Sequence, residues 1–378
     1  MVSPHQLGKC PPGTAVLDMP YSLTLQTCDH HGERLTSGGY NIRADITTSS
    51  SEEPKRQGDV QDNEDGSYTV TVTPRAPEPL IVNIKICGYP LKSGMPLVIP
   101  VQDSLPFVDP PDGYKNPSGM AVDINRKAVY ITDIIERVGC YVRQLKTDGS
   151  FVSTKMIKKL SLQLNNKSQL DLAVAQDGRL FALFPHSKGV VTCNYNGKSV
   201  EWWPCAEDNH QPVSITLSRA DHVIVGDGDS HKLFIHQRKG EIVGRIELPK
   251  GALSAGTQNV CVDSTHDDIL VVTHSEPYKI LRYTINGNLV CTINLTAKTT
   301  QQAMAAESTP EGALVVSLRG RILVLAFTPD RKDIAVVKMF KTDHTYTRLA
   351  VIGDECFVAF DPAAKHLAKY SYHHRPLH

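Results

Sequence analysis

The chain has 378 residues, with 40 Lys and Arg against 40 Asp and Glu and a hydrophobic fraction of 40%. This length predicts two or three domains with a sizeable core, and the balanced charge argues against a generally basic nucleic-acid coat or an acidic disordered tail. No long apolar run occurs, and the N-terminus MVSPHQLGKCPPG has no apolar signal core, so we expect neither a membrane span nor secretion.

Nine cysteines are scattered along the chain without a C-x-x-C pair, the local spacing that zinc modules need. Cys28 and Cys87 lie near the ends of predicted strands. Because no signal peptide precedes them, we expect buried free thiols rather than a disulfide. A reducing compartment, the cytoplasm, is the expected location.

Residues 11–101 contain short alternating segments separated by turn residues, which predicts β-strands. The polar stretch 47–61 is expected to be a mobile loop because Ser, Glu and Lys dominate it. About seven strands in this segment predict a two-sheet sandwich. The clearest predicted strands are residues 21–27, 40–46, 68–73, 80–86 and 96–101.

This first segment resembles a filamin-type immunoglobulin repeat. The resemblance rests on the motif Asp62-Asn-Glu-Asp-Gly-Ser-Tyr-Thr-Val-Thr-Val-Thr-Pro74, with Gly38-Gly39 before a strand and Cys87-Gly88 late in the segment. The turn Ser93-Gly94-Met95-Pro96 departs from the family, whose repeats usually carry Gly-Ser-Pro-Phe there. The other interpretation is an unrelated sandwich with a hairpin at the motif.

Beyond residue 116 a unit repeats, and its second predicted strand ends with an apolar residue followed by a mostly small one. Successive pairs are 51, 43, 47, 44 and 42 residues apart. A period of this size with four short β-branched strands is typical of a β-propeller rather than a helical solenoid, and six units predict six blades. The pairs are Ile131-Thr132, Ala182-Leu183, Val225-Gly226, Val272-Thr273, Val316-Ser317 and Val358-Ala359.

The units resemble degenerate NHL repeats, of which the best copy is Pro117-Ser-Gly-Met-Ala-Val-Asp123 with Val129-Tyr-Ile-Thr-Asp133. The last unit has room for three strands, so we expect the linker 102–116 to supply the closing outer strand from residues 104–108. The predicted fold is all-β: a filamin sandwich at 11–101 and a six-bladed NHL propeller at 117–378. This is the C-terminal architecture of the tripartite-motif (TRIM) NHL family.

No nucleophile elbow, Walker loop, H-E-x-x-H or G-x-G-x-x-G motif occurs, so no catalytic residue and no cofactor is predicted. Gly226-Asp-Gly-Asp229 resembles a fragment of a calcium loop but lacks the remaining ligands. Some six-bladed propellers are metal-dependent enzymes with His, Asp and Glu on the axis. A ring of ligands needs matching repeat positions, which the histidines lack, so no metal site is predicted. The histidines are His222, His236, His266 and His274.

A basic residue recurs once in every unit, five to seven positions after the apolar end of the second strand. Because the turns from second to third strand emerge on one face of a propeller, we expect a ring of cations around one mouth of the channel. Arg319, Tyr278 and His231 are expected close to this ring. The six recurring residues are Arg137, Lys188, Lys232, Lys279, Arg321 and Lys365.

Such a ring predicts RNA binding, because Lys and Arg neutralise phosphates while aromatic rings and histidines stack on unpaired bases. The other interpretation is that the cations pair with acids at strand ends, as Asp133 could with Arg137 and Asp227 with Lys232. Residues 1–101 hold 8 basic and 11 acidic residues, which leaves 32 and 29 for the rest. The propeller segment is therefore only +3, which is low for a member that binds RNA hairpins.

Trp202 and Trp203 are the only tryptophans, and they fall on a predicted fourth strand. Adjacent residues of a strand point to opposite faces, so one ring must face outward. Packing against the neighbouring blade and a protein-binding hot spot are the two interpretations.

The TRIM-NHL resemblance implies a cytoplasmic regulator whose propeller binds messenger RNA for post-transcriptional repression. The alternative it implies is a protein-recognition scaffold that presents substrates to an E3 ubiquitin ligase. The chain has no RING, B-box or heptad coiled coil. We therefore expect it not to be an enzyme, and expect ligase activity and oligomerisation through a coiled coil to lie outside it.

Overall fold

The computed structural model describes residues 13–372 apart from 30, 49–54, 77, 91–94, 103, 108, 136–138, 158–170, 186–187, 206–210, 256, 296–297, 300 and 354–355. Every element in these residues is a β-strand, and the chain divides into two units, 1–105 and 106–378. No described segment forms a helix long and apolar enough to cross a bilayer.

Ten short strands build the first unit. One antiparallel sheet has the order β2 (Tyr21–Gln26), β6 (Ser67–Val72), β5 (Asp59–Asp62). A second sheet has the order β4 (Arg56–Gln57), β3 (Ile42–Thr48), β7 (Leu80–Ile86), β8 (Tyr89–Pro90), and β9 (Leu97–Ile99) also pairs with β7. A parallel pair joins β1 (Ala15–Val16) to β10 (Val101–Gln102).

Alternation along the strands creates the core of this unit. Tyr68, Val70 and Val72 of β6 are at most 3% exposed and pack in one cluster with the inward residues of β3 and β7. The predicted strand at 80–86 is confirmed. The loop predicted for 47–61 is wrong where the structure describes it, because residues 47–48 end β3 and β4 and β5 form further on; residues 49–54 lie outside the described residues. The Gly58 amide donates to the Ala44 carbonyl at 2.9 Å and Val60 packs against the core, which holds the polar stretch on the sheet.

Cys28 and Cys87 are both free thiols. Cys28 is buried as expected, whereas Cys87 is exposed, so the expectation of burial is wrong for this residue. The reason is local: Cys87 occupies the tight turn between β7 and β8 with a φ of 51°, which turns its side chain away from the sheet.

The Asp62 motif joins two distant parts of the first unit. The Asp62 carboxylate accepts the backbone N–H of Gly39 at 2.6 Å and that of Glu64 at 2.8 Å. These backbone hydrogen bonds hold the pKa of Asp62 below its usual range. The Tyr68 hydroxyl accepts the N–H of Tyr40 at 2.8 Å. The motif therefore ties the turn before β6 to the segment that leads into β3.

Gly66, in the same motif, provides a test of this packing. Its φ is +83°, and a Cβ added there would lie 2.0 Å from the Leu35 carbonyl oxygen. Gly66→Ala is expected to lower the free energy of unfolding of the first unit by more than the roughly 1–2 kcal/mol that a left-handed backbone costs an L-residue. Chemical denaturation of the whole chain measures it.

Gly88→Ala is the matched control, since Gly88 has a φ of +88° and no atom within 4 Å of an added Cβ. It should cost only the backbone penalty of about 1–2 kcal/mol. Equal losses for the two variants would contradict the close approach at Gly66.

Six four-stranded antiparallel sheets build the second unit, five of them from consecutive strands. The first sheet contains β12 (Pro117–Asp123), β13 (Ala128–Ile135), β14 (Gly139–Lys146) and β15 (Phe151–Met156). The second contains β16 (Asp171–Val174), β17 (Arg179–Phe184), β18 (Gly189–Asn194) and β19 (Glu201–Pro204). The third contains β20 (Pro212–Leu217), β21 (Val223–Asp227), β22 (Lys232–His236) and β23 (Ile242–Glu247).

The remaining three sheets follow the same plan. The fourth contains β24 (Val260–Val262), β25 (Ile269–Val272), β26 (Lys279–Tyr283) and β27 (Leu289–Asn294). The fifth contains β28 (Ala303–Ser308), β29 (Leu314–Leu318), β30 (Arg321–Phe327) and β31 (Ile334–Lys341). The sixth contains β32 (Arg348–Val351), β33 (Cys356–Asp361), β34 (His366–Ser371) and β11 (Leu105–Pro106).

The first strands of the six sheets pack side by side in chain order, and β32 also packs against β12. This is a propeller-like arrangement around a central axis. Every residue of the second strands β21, β25 and β29 is buried. Continuous apolar runs are required there because neighbouring sheets cover both faces of each strand.

The expected closing strand is present in the sixth sheet. β11 pairs with β34, and the Phe107 amide donates to the Leu367 carbonyl at 3.0 Å. A segment that precedes the first sheet in the chain thus supplies the outer strand of the last one. This pairing covers an edge of β34 that would otherwise offer unpaired backbone groups.

A fully buried ion pair lies inside the first sheet. The Arg143 guanidinium on β14 has no exposed surface and lies 2.7 Å from the Asp133 carboxylate, which is also fully buried. Asp133 further accepts the N–H of Asn116 at 2.7 Å. Arg143 also reaches the exposed Asp112 at 2.6 Å and holds the pKa of that carboxyl below its usual range. The pair anchors the segment before β12 to the sheet.

Arg143→Met is expected to lower the free energy of unfolding of the second unit by about 3–5 kcal/mol, because it leaves the Asp133 charge buried without a cation. Asp112→Asn is the control, since it keeps the Arg143–Asp133 pair and removes only the exposed partner; it should cost a small fraction of that loss. Urea denaturation followed by fluorescence measures both. A small effect of Arg143→Met would contradict the role of the pair.

Candidate functional site

Five of the six recurring basic residues lie at the start of the third strand of their sheets. Lys232, Lys279 and Arg321 are the first residues of β22, β26 and β30, while Lys188 and Lys365 directly precede β18 and β34. In an antiparallel four-stranded sheet these positions share one end. We call this the basic end, defined by Lys188, Lys232, Lys279, Arg319, Arg321 and Lys365. Arg137 lies outside the described residues.

Asp227 and Asp133, the strand-end acids considered as partners of the recurring cations, have other partners in the structure. Asp227 accepts the backbone N–H of Ser230 at 2.6 Å, and Lys232 instead pairs with the exposed Glu247 at 3.0 Å. The Asp133 carboxylate forms an ion pair with Arg143. An ion pair as exposed as Lys232–Glu247 contributes little stability and exchanges readily with other partners.

Most of the other cations have no acidic partner among the described residues. Arg321 donates to the Gln301 amide oxygen at 2.7 Å, and Lys365 donates to the Tyr114 carbonyl at 2.9 Å. Lys188, Lys279 and Arg319 form no salt bridge to any residue that the structure describes. Within the described part of the chain, no acidic side chain neutralises these three charges.

Two of the expected stacking side chains are less accessible than predicted. Tyr278 is only 9% exposed and packs in the core beside Ile280, so its ring offers almost no surface to a base. The residue lies one position before β26, where it faces inward while Lys279 faces outward. His231 is partly buried in the turn before β22 with a φ of 54°.

Trp202 supplies an aromatic surface close to the basic end. It lies on β19, the fourth strand of its sheet, and is 51% exposed. Its indole covers Gly189, the neighbour of Lys188: a Cβ added at Gly189 would lie 2.2 Å from the indole nitrogen. Trp203 is buried, with its ring 5.0 Å from the ring of His236 in the next sheet. The prediction that one ring faces outward is confirmed.

The basic end is mixed in charge, because the exposed Asp229 and Glu276 occupy the same turns as His231 and Lys279. No group of three His, Cys, Asp or Glu side chains in the described ranges could hold a metal ion. The arrangement offers separated cations and one exposed indole, which suits a flexible polyanion that contacts several sheets.

Residues 6–96 match the family model of the Filamin/ABP280 repeat, which confirms the predicted nature of the first unit. The match spans about a quarter of the chain. A comparison with curated proteins gives no significant match.

Several solved structures are similar over most of the chain. A streptogramin B lyase is 14% identical, covering 72% of this chain and 88% of its own, with a TM-score of 0.51. A catalytically inactive virginiamycin B lyase from Staphylococcus aureus with quinupristin is 13% identical, covering 71% and 88%, also with a TM-score of 0.51. A protein from Lactobacillus plantarum is 11% identical, covering 88% and 93%, at 0.51. Identities this low show similarity of fold alone.

Proposed function

We propose that the chain is the recognition part of a cytoplasmic TRIM-NHL-type regulator, and that its six sheets are the blades of an NHL propeller. In this proposal the propeller binds messenger RNA through the basic end and directs post-transcriptional repression. The observation that carries the proposal is the cation at the start of the third strand in five consecutive described sheets.

Charge and spacing support a single-stranded or hairpin-loop ligand. Cations on successive sheets would meet successive phosphates of a flexible strand, and each contact releases counterions. Trp202 beside Lys188 would stack on an unpaired base, which is a sequence-tolerant contact. Because Asp229 and Glu276 share this end, affinity would come from several separate contacts rather than from a uniformly positive surface.

A protein-recognition scaffold is the second candidate function. The half-exposed Trp202 favours it, because exposed tryptophans are enriched among the residues that dominate protein interfaces. In that case the propeller would present substrates to an E3 ubiquitin ligase supplied from outside this chain. The two functions differ in salt dependence, since a largely apolar interface responds little to ionic strength.

The RNA proposal predicts a steep salt dependence. With a slope of about −0.7 per phosphate for single strands, five contacts lose about 100-fold in affinity between about 50 and about 200 mM salt. Lys279→Glu/Arg321→Glu removes two of these contacts, so RNA should bind more weakly at every salt concentration. The further loss of affinity between about 50 and about 200 mM salt should then be only about 20-fold, because three phosphate contacts remain. Fluorescence anisotropy against a pool of short RNA hairpins and single strands measures both quantities.

Lys239→Glu/Lys332→Glu is the matched control. Both lysines are exposed, lie in turns between third and fourth strands at the opposite end, and give the same change in net charge. This control should leave the salt slope unchanged. Equal effects of the two double variants, or no RNA binding at low salt, would contradict the basic end as an RNA site and redirect the search to protein partners.

Trp202→Ala tests the stacking contact. Loss of one base–aromatic stack costs about 1–3 kcal/mol, so affinity for single-stranded RNA should fall roughly 5- to 150-fold with the salt slope unchanged. Tyr89→Ala, at a 66% exposed residue of the first unit, is the control and should have no effect. Unchanged RNA affinity combined with lost capture of a protein partner would favour the scaffold function.

A further inference from the structure

A cavity of about 400 Å³ lies on the axis of the second unit, away from the basic end. Residues from the first strands of all six sheets line it, and they lie towards the C-terminal ends of those strands. The exposed residues Ile124, Arg219 and Pro310 lie just past the strand ends and mark the mouth. The cavity therefore opens at the opposite end from the proposed RNA site, and its volume suits a small ligand or one side chain.

Gln258 closes the inner end of the cavity. Its side-chain amide donates to the Leu349 carbonyl at 3.0 Å and accepts the Leu349 N–H at 2.9 Å, so the fourth sheet is bonded across the axis to the sixth. Nearer the basic end, Arg348 lies 3.3 Å from Asp171, which joins the sixth sheet to the second. These contacts cross the axis between the cavity and the basic end.

An acidic side chain contacts the residue that closes the inner end of the cavity. Glu307 lies there, and its carboxylate accepts the Gln258 amide at 3.0 Å and the backbone N–H of Ser308 at 3.2 Å. Polar and apolar groups contribute about equally to the lining, and the apolar residues include Met120, Val122, Leu172, Ile215, Val262 and Val351. A ligand whose polar group binds at Glu307 would therefore have apolar surface available for an aliphatic part.

No cation among the described residues neutralises Glu307. Arg219 is the charged residue at the mouth, where it is exposed, and Arg348 is engaged by Asp171. Removal from water raises the pKa of Glu307 to about 8, and the nearby Asp171 charge acts in the same direction. The carboxyl is therefore mostly protonated at neutral pH when the cavity holds no cation, and a bound cation would favour its ionisation.

We propose that the axial cavity binds the ammonium group of an aliphatic amine, with the charged head on Glu307 and the alkyl stem along the apolar part of the lining. Lysine side chains and free alkylamines share this chemistry. The site is separate from the basic end and does not depend on RNA binding there. Because the ammonium displaces the carboxyl proton, binding is coupled to proton release.

The test uses the complete chain with methionine methyl groups labelled with ¹³C. Met120 is a methionine that lines the cavity, so its resonance, assigned with Met120→Leu, reports occupancy. Hexylamine, hexanol and hexanoate are the probes, matched in stem and different in head group. Hexylamine is expected to shift the Met120 resonance at a concentration at least about 10-fold lower than hexanol, which corresponds to about 1.4 kcal/mol.

Glu307→Gln keeps the size of the side chain and removes its charge. It should bind hexanol as before and lose the preference for hexylamine. Equal affinities of hexylamine and hexanol for the natural chain, or an unchanged preference in Glu307→Gln, would overturn the proposal. Tighter binding of hexanoate would also overturn it.

Proton release gives a measurement that needs no variant. Calorimetry at pH 7 in two buffers of different ionisation enthalpy should show nearly one proton released for each hexylamine bound, and this number should fall as the pH rises through about 8. Binding without proton release would contradict the contact with Glu307. An N-acetyl-lysine methylamide arm separates the sources: binding equal to hexylamine assigns the site to lysine side chains, and weaker binding assigns it to free amines.

Discussion

Hydrogen bonds and an ion pair across the central axis join sheets of the second unit that are not neighbours. Six sheets can pack side by side through their apolar faces, but their first strands leave polar backbone groups facing one another at the centre. Gln258 satisfies both backbone groups of Leu349 with a single amide, and the Asp171 carboxylate accepts the Ile215 N–H at 3.0 Å while contacting Arg348. Buried polar groups without such partners would each cost stability. The cavity described above lies on one side of these crossings.

The two ends of the second unit consequently have different chemistry. At the basic end the cations lie in or beside the turns between second and third strands, where the proposed RNA contacts would be made. At the other end the cavity extends inwards to Gln258, and the proposed amine site depends on the Glu307 carboxyl group. Separated cations suit an extended polyanion, whereas a cavity with one carboxyl group and a partly apolar lining suits an aliphatic amine.

Much of the fold could be predicted because it depends on periodicity. The alternation of Tyr68, Val70 and Val72 and the recurring pairs such as Val225-Gly226 reflect local rules of strand burial. The closing strand could be predicted because the last repeat unit has room for only three strands. Arg143, Gln258 and Glu307 could not be found in this way, because their roles depend on residues far away in the chain. Tyr278 was misjudged because neighbouring residues at the start of a strand face opposite ways, which spacing alone did not resolve.

The position of β11 has a consequence for synthesis on the ribosome. The strand that completes the sixth sheet emerges before the other three, and its partner β34 is translated after every other strand of the second unit. The five preceding sheets can form as they leave the exit tunnel, but the sixth cannot be completed until β34 has also left it. Until then β11 waits with an unpaired edge, and that interval is when the nascent chain is most exposed to chaperones and to misassembly with other chains.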